Sequence, residues 1–144
     1  QTMYNIDLNL VIGLHRLINT VDRNTARVVK EYDLTMGQFA VLEALVHKGQ
    51  QTVGQVQDRI LSTTGTIPVI VNNLERRGYL TKRQDPKDKR RTFLKATRQG
   101  IALMEEVFPK NVDSIEGDFA CFSQEEKETL LALLKKFRDA SQNK

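Results

Sequence analysis

Between Asp85 and Arg91 the sequence reads DPKDKRR, which sets Lys87, Lys89, Arg90 and Arg91 within seven residues and Asp88 two positions before Arg90. Like charges this close repel one another, a cost that phosphates among them relieve. Asp88 is near enough to hold the Arg90 guanidinium in one orientation. An oriented arginine on a thin loop suits a narrow, electronegative minor groove. The plainer reading of the run is a salt-linked, solvated turn. A second group lies upstream: Thr63, Thr64, Thr66, Val69, Asn72 and Arg76. Asparagine pairs bidentately with adenine, arginine reaches guanine or phosphate, and an outward valine touches a thymine methyl. Threonine hydroxyls at a helix N-terminus, together with its free amides and dipole, favour a phosphate. Taken singly, each has an ordinary reading as a cap or a surface residue. Together, directly before a basic hairpin, they point to recognition of a duplex.

Other chemistries find little support. The two histidines, His15 and His47, and the single cysteine, Cys121, are far apart in sequence and too few for a Cys/His zinc cage. No phosphate-cradling glycine loop and no Ser-His-Asp or Cys-His grouping is suggested by spacing. The expectation is a protein that is not an enzyme, with no metal and no cofactor.

The charge distribution agrees with the basic group. Residues 59–98 carry eleven Lys/Arg and three acids, a net +8, leaving −4 for the rest of a chain whose total is +4. A compact basic block in an otherwise acidic chain is the footprint of a polyanion-binding surface, although a solvated Lys/Arg-rich loop carries the same charge. At 144 residues, 40% hydrophobic and 28% charged, the chain reads as one globular domain, 1–144. It has no run of 18 apolar residues, so no membrane span is expected. The start QTMYNIDLNLVIG lacks the basic n-region and continuous apolar run of a signal peptide. One cysteine fits a reducing compartment, so a cytoplasmic location is expected.

The elements that must hold these residues are mostly helical. Ile6, Leu10, Leu14, Leu17, Ile18 and Val21 recur at three- and four-residue steps across 5–31, the stripe of an amphipathic helix. Thr35 and Gln38 make a capping-box pair before Phe39, Val41, Leu42, Leu45 and Val46, and Gly49 is placed to stop that helix in the left-handed conformation. Thr52 and Gln55 repeat the signal for a short helix to about Ile60. From Thr63 to Arg77 the β-branched run around Pro68 has strand propensity. However, Ile67, Ile70, Val71 and Leu74 share one helical face, which predicts a helix. At about 100° per residue, Gly65, Val69, Asn72 and Arg76 then face outward. If this helix starts at Thr63 or Thr64, Pro68 lies deep enough to loosen it. Strands are predicted at 79–83 and 91–96 around a loop turned by Asp85-Pro86. A long helix follows from about Arg98 to Glu116, with Pro109 expected to interrupt and kink it. Ser123 and Glu126 box the last helix, which carries Leu130, Leu131, Leu133, Leu134 and Phe137. The fold class is mainly α with a small β-hairpin: a winged helix-turn-helix core at 35–97, flanked by N- and C-terminal helices at 1–34 and 98–144.

With these residues in place, the sequence resembles the MarR family of bacterial winged-helix transcription regulators. DPKDKRRTFLKAT, 85–97, is similar to the family's wing, with Asp88-Lys89-Arg90 at the Asp-x-Arg positions and Thr97 at the closing threonine. Ala96 replaces the usual leucine. STTGTIPVIVNNLERRGYL, 62–80, is similar to the recognition-helix stretch, with Pro68 where a small or hydroxyl residue is usual. TRQG at 97–100, Phe108-Pro109 and Ser123-x-x-Glu126 also fit, so the resemblance covers nearly the whole chain.

The resemblance implies a homodimer built by the terminal helices, a near-palindromic double-stranded DNA site and a regulator, expected to be a repressor. It also implies a small, often aromatic or phenolic, ligand bound between the dimer helices and the winged helix. In this reading Asn72 and Arg76 read bases, Val69 lies against them, and Thr63, Thr64 and Thr66 hold phosphates. Asp88 positions Arg90, with Lys89 beside it, in the minor groove. Cys121 lies outside the first helix, where one branch of the family places an oxidant-sensing cysteine. The alternative is a winged-helix protein-interaction adaptor with no DNA site of its own, distinguished by no retention on heparin.

Overall fold

Three helices start where a hydroxyl residue and a Gln or Glu three positions later exchange bonds. Thr35 Oγ1 accepts from the Gln38 amide at 3.2 Å while Gln38 Oε1 accepts from the Thr35 amide at 2.9 Å. Thr52 with Gln55 and Ser123 with Glu126 repeat this pairing. Each box satisfies two backbone donors that a helix end otherwise leaves free. The computed structural model describes residues 5–60 and 66–143. Their order is α1 (Ile6–Lys30), α2 (Met36–Lys48), β1 (Gln51–Thr52), α3 (Val53–Arg59), α4 (Ile67–Arg76), β2 (Leu80–Gln84), β3 (Thr92–Ala96), α5 (Arg98–Asp118) and α6 (Gln124–Gln142). This is a mainly α winged helix-turn-helix with flanking helices.

Several local expectations are corrected. α4 begins at Ile67 with Thr66 as its N-cap, not at Thr63. Pro68 therefore falls in the first turn, where its missing N–H costs no intrahelical bond and loosens nothing. Thr63 and Thr64 lie outside the described residues. α5 runs unbroken through Pro109. Gly49 has the expected positive φ of 78°, but its ψ of −159° places it in an extended region open to glycine rather than in the left-handed helical one. The hairpin gains a third strand: β1 joins it in the order β1-β3-β2, all antiparallel, with Gln51 opposite Leu94 and Leu80 opposite Ala96.

The core gathers one face from each central element. Leu42 and Leu45 of α2, Val56 of α3, Leu74 of α4, Leu80 of β2, Leu94 of β3, and Met104 and Val107 of α5 are all essentially inaccessible. β3 is joined tightly to α5. Thr97 Oγ1 donates to the Gly78 carbonyl at 2.6 Å, and a Cβ on Gly100 would collide with the Tyr79 carbonyl oxygen. Gly78 itself sits at φ +84°, where side-chain-bearing residues are strained. The flanking helices differ. Ile6, Leu8, Leu10, Val11, Ile12, Leu14 and Ile18 of α1 are exposed, as are Leu131, Leu133, Leu134 and Phe137 of α6. No described residue of α6 is buried.

Candidate nucleic-acid interface

The apolar spacing of α4 sets its orientation. Ile67, Ile70, Val71 and Leu74 are buried, which turns Val69, Asn72 and Arg76 outward; Val69 is 68% exposed. Thr66 is exposed at the N-cap, and its hydroxyl makes no capping bond. The adjacent surface comes from β2, an edge strand of the sheet. Lys82 reaches back from it to α4, its Nζ donating to Asn72 Oδ1 at 2.7 Å and pairing with Glu75 at 3.3 Å. The outward face of α4 and the wing's edge strand thus adjoin.

The wing loop is ordered by its two acids. Asp85, 7% exposed, accepts from the Lys87 amide at 2.9 Å, a two-residue step that builds an Asx turn. Its other oxygen lies 3.7 Å from the Arg91 guanidinium. Asp88 Oδ1 accepts from both the backbone amide and Nε of Arg90, at 3.0 and 3.1 Å, and Oδ2 accepts from the terminal nitrogen at 3.4 Å. The Arg90 side chain is nonetheless 91% exposed, so it is aimed while its outer face stays open to solvent. The side-chain bond from Arg90, helped by the Arg90 amide, holds the Asp88 carboxyl below the ordinary aspartate value. Lys89 is exposed, and its carbonyl accepts from Gln84 Nε2 at 2.9 Å. Beneath the loop, the Arg83 and Arg91 guanidiniums stand 5.2 and 5.5 Å from the Phe93 ring centre.

The expected site residues among those described therefore fall on two neighbouring surfaces, with Val69, Asn72 and Arg76 on α4 and Asp88, Lys89 and Arg90 on the wing. One expectation changes. The oxygen that Asn72 needs for bidentate pairing with adenine is already bonded to Lys82. Sequence reasoning counted Lys82 and Arg83 only as charges, and read Asp85 as the turn residue of the loop without its pairing to Arg91. The Asp85-Pro86 turn signal agrees with the Asx turn at Asp85, whereas nothing local announces Lys82. Among the described residues there is no cluster of three metal-ligating side chains and no helix long and apolar enough to cross a membrane.

Comparison with known proteins names this arrangement. The family model for the transcriptional regulator SarA/Rot matches residues 24–107. The HTH-type transcriptional regulator MhqR of Bacillus subtilis is 34% identical over 129 residues, covering 90% of this chain and 89% of that protein. The chain belongs to the MarR family of winged-helix transcriptional regulators. As a MarR-family protein it is a DNA-binding regulator of transcription rather than an enzyme. A mutant Escherichia coli MarR complexed with operator DNA shares its fold, with TM-score 0.81, 24% identity and coverage of 95% of this chain and 99% of that one. BpsR of Bordetella bronchiseptica, whose DNA binding is regulated by 6-hydroxynicotinic acid, matches with TM-score 0.81 and 25% identity over 90% and 98% of the two chains.

Proposed function

We propose that two copies of this chain bind a near-palindromic operator as a repressor, released by a small aromatic ligand. Residues 35–97 are the DNA-binding core of a single domain, 1–144, and 1–34 with 98–144 supply the dimer helices. Asn72 and Arg76 meet base edges, with Val69 against a thymine methyl. Thr63, Thr64 and Thr66 take phosphates, and Arg90, aimed by Asp88 and flanked by Lys89, enters the minor groove. The carrying observation is the Asp88–Arg90 pair: a guanidinium held by two bonds to a carboxylate that also accepts from the Arg90 backbone amide, yet open to solvent, beside the exposed face of α4. Exposed apolar faces on α1 and α6 support the dimer, because patches of that extent mark interaction surfaces. A two-fold dimer sets its recognition helices about one DNA turn apart, which makes the site a palindrome. Ligand release follows if the ligand prefers the spacing that cannot bind DNA; the effector of BpsR is one such small aromatic compound. A regulator of this kind works in the cytoplasm. Selecting bound duplexes from a random library tests the reading. A palindromic consensus with half-sites about one turn apart is expected, and absence of any salt-dependent binding overturns it.

A further inference from the structure

The orientation of the asparagine amides on α4 follows from chemistry. A lysine ammonium has three donors and no acceptor, so the Asn72 atom 2.7 Å from Lys82 Nζ is the oxygen. The same logic fixes Asn73. The Thr35 amide only donates, so it faces Gln38 Oε1; the far end of that amide, Nε2, then donates to Asn73 Oδ1 at 2.8 Å. Both asparagine oxygens are thus engaged by neighbouring elements, one by β2 and one by α2. With a lysine ammonium seated on its oxygen, the group that the exposed Asn72 offers freely is its NH2.

We propose that Asn72 reads DNA as a hydrogen-bond donor and that Lys82 is the positioning residue that makes it one. The proposal rests on the DNA-binding reading above and adds the class of base read. Guanine offers N7 and O6 and thymine offers O4 in the major groove, all acceptors; adenine pairs its N7 with an N6 amino donor that needs an acceptor beside it. Asn72 has that acceptor, but the Lys82 ammonium sits on it and repels the amino hydrogens of adenine. Glu75, 3.3 Å from the same ammonium, helps hold it there. The base facing Asn72 is therefore guanine or thymine.

The test compares selected duplexes, and competition titrations against them, for the full chain and three variants. Asn72→Ala identifies the position read, because base preference there flattens in each half-site. At that position the unaltered protein selects guanine or thymine. Lys82→Met removes the donor but keeps the chain length, freeing the oxygen, and the preference moves to adenine by about tenfold. Glu75→Gln keeps a carbonyl oxygen beside the ammonium, so Lys82 stays on Asn72 and the original base is kept. A merely structural Lys82 lowers affinity for all sequences alike and moves no preference. The proposal is overturned if Lys82→Met retains the original base, if the unaltered protein already selects adenine, or if Asn72→Ala flattens nothing within a clear consensus. Absence of any consensus for the unaltered protein overturns the DNA-binding reading along with it.

Discussion

Arg90 combines two properties that usually oppose one another, high exposure and a fixed direction. A free arginine loses side-chain entropy when it enters a groove; one already bonded to Asp88 through both its amide and its guanidinium has less to lose. Arg90→Ala is expected to weaken binding by about 1–3 kcal/mol per contact, and unchanged affinity in a fluorescence titration removes the wing from the mechanism. The pair also carries a pH signature. The folded Asp88 carboxyl titrates below its unfolded value, chiefly through Arg90. The order that the pair gives the wing is therefore complete above the ordinary aspartate value, near pH 4, and is lost as pH falls through the lowered one. Carboxyl carbon shifts followed by NMR should show a depressed midpoint for Asp88, returning upward in Arg90→Ala. This pair was legible in the sequence because its partners are two residues apart. The Lys82–Asn72 bond was not: ten residues and a helix-to-strand turn separate them, and only the placement of β2 beside α4 brings them together.

At the scale of elements, what could be read depended on how local the determinants are. The capping boxes of α2, α3 and α6 and the buried stripe of α4 lie within single helices, and each was readable from spacing. β1 was not, because two residues carry no periodicity and this strand exists only through pairing with β3, some forty residues on. Interior Pro109 misled for a similar reason: the continuity of α5 is set by the packing of Met104, Val107 and Asn111 on either side of it. The β3–α5 joint yields a stability prediction. Gly100→Ala puts a methyl group against the backbone carbonyl of Tyr79, which cannot rotate away as a side chain can. It should cost about 1–3 kcal/mol, seen as a lower thermal midpoint, and an unchanged midpoint means that the joint opens easily. For α6 the expected change is in assembly. Leu131→Glu with Leu134→Glu adds charge where no described residue is buried within the chain. The isolated fold should keep its helicity by circular dichroism while light scattering falls from twice the chain mass to one. A mass unmoved by the pair places the interface elsewhere.

Across the whole molecule, charge and apolar surface are divided between different regions. The segment 59–98 carries +8 against −4 elsewhere, while the exposed apolar residues concentrate on α1 and α6. A dimer closed through the apolar helices presents the basic segment twice, which doubles the number of phosphates neutralised per binding event. The salt dependence of affinity counts those phosphates, since each contact contributes a slope of about −0.9 in a plot of log affinity against log salt. Lys89 isolates the term. It is exposed, its carbonyl accepts from Gln84, and among the described residues its ammonium has no acidic partner, so removing its side chain leaves the turn intact. Lys89→Ala should reduce the slope by about one unit per protomer, close to two for the dimer, while weakening every duplex alike. Anisotropy titrations over a range of salt distinguish the outcomes. A slope reduced by one means that a single wing engages, an unchanged slope takes Lys89 off the phosphates, and a changed base preference moves it from the backbone to a base edge.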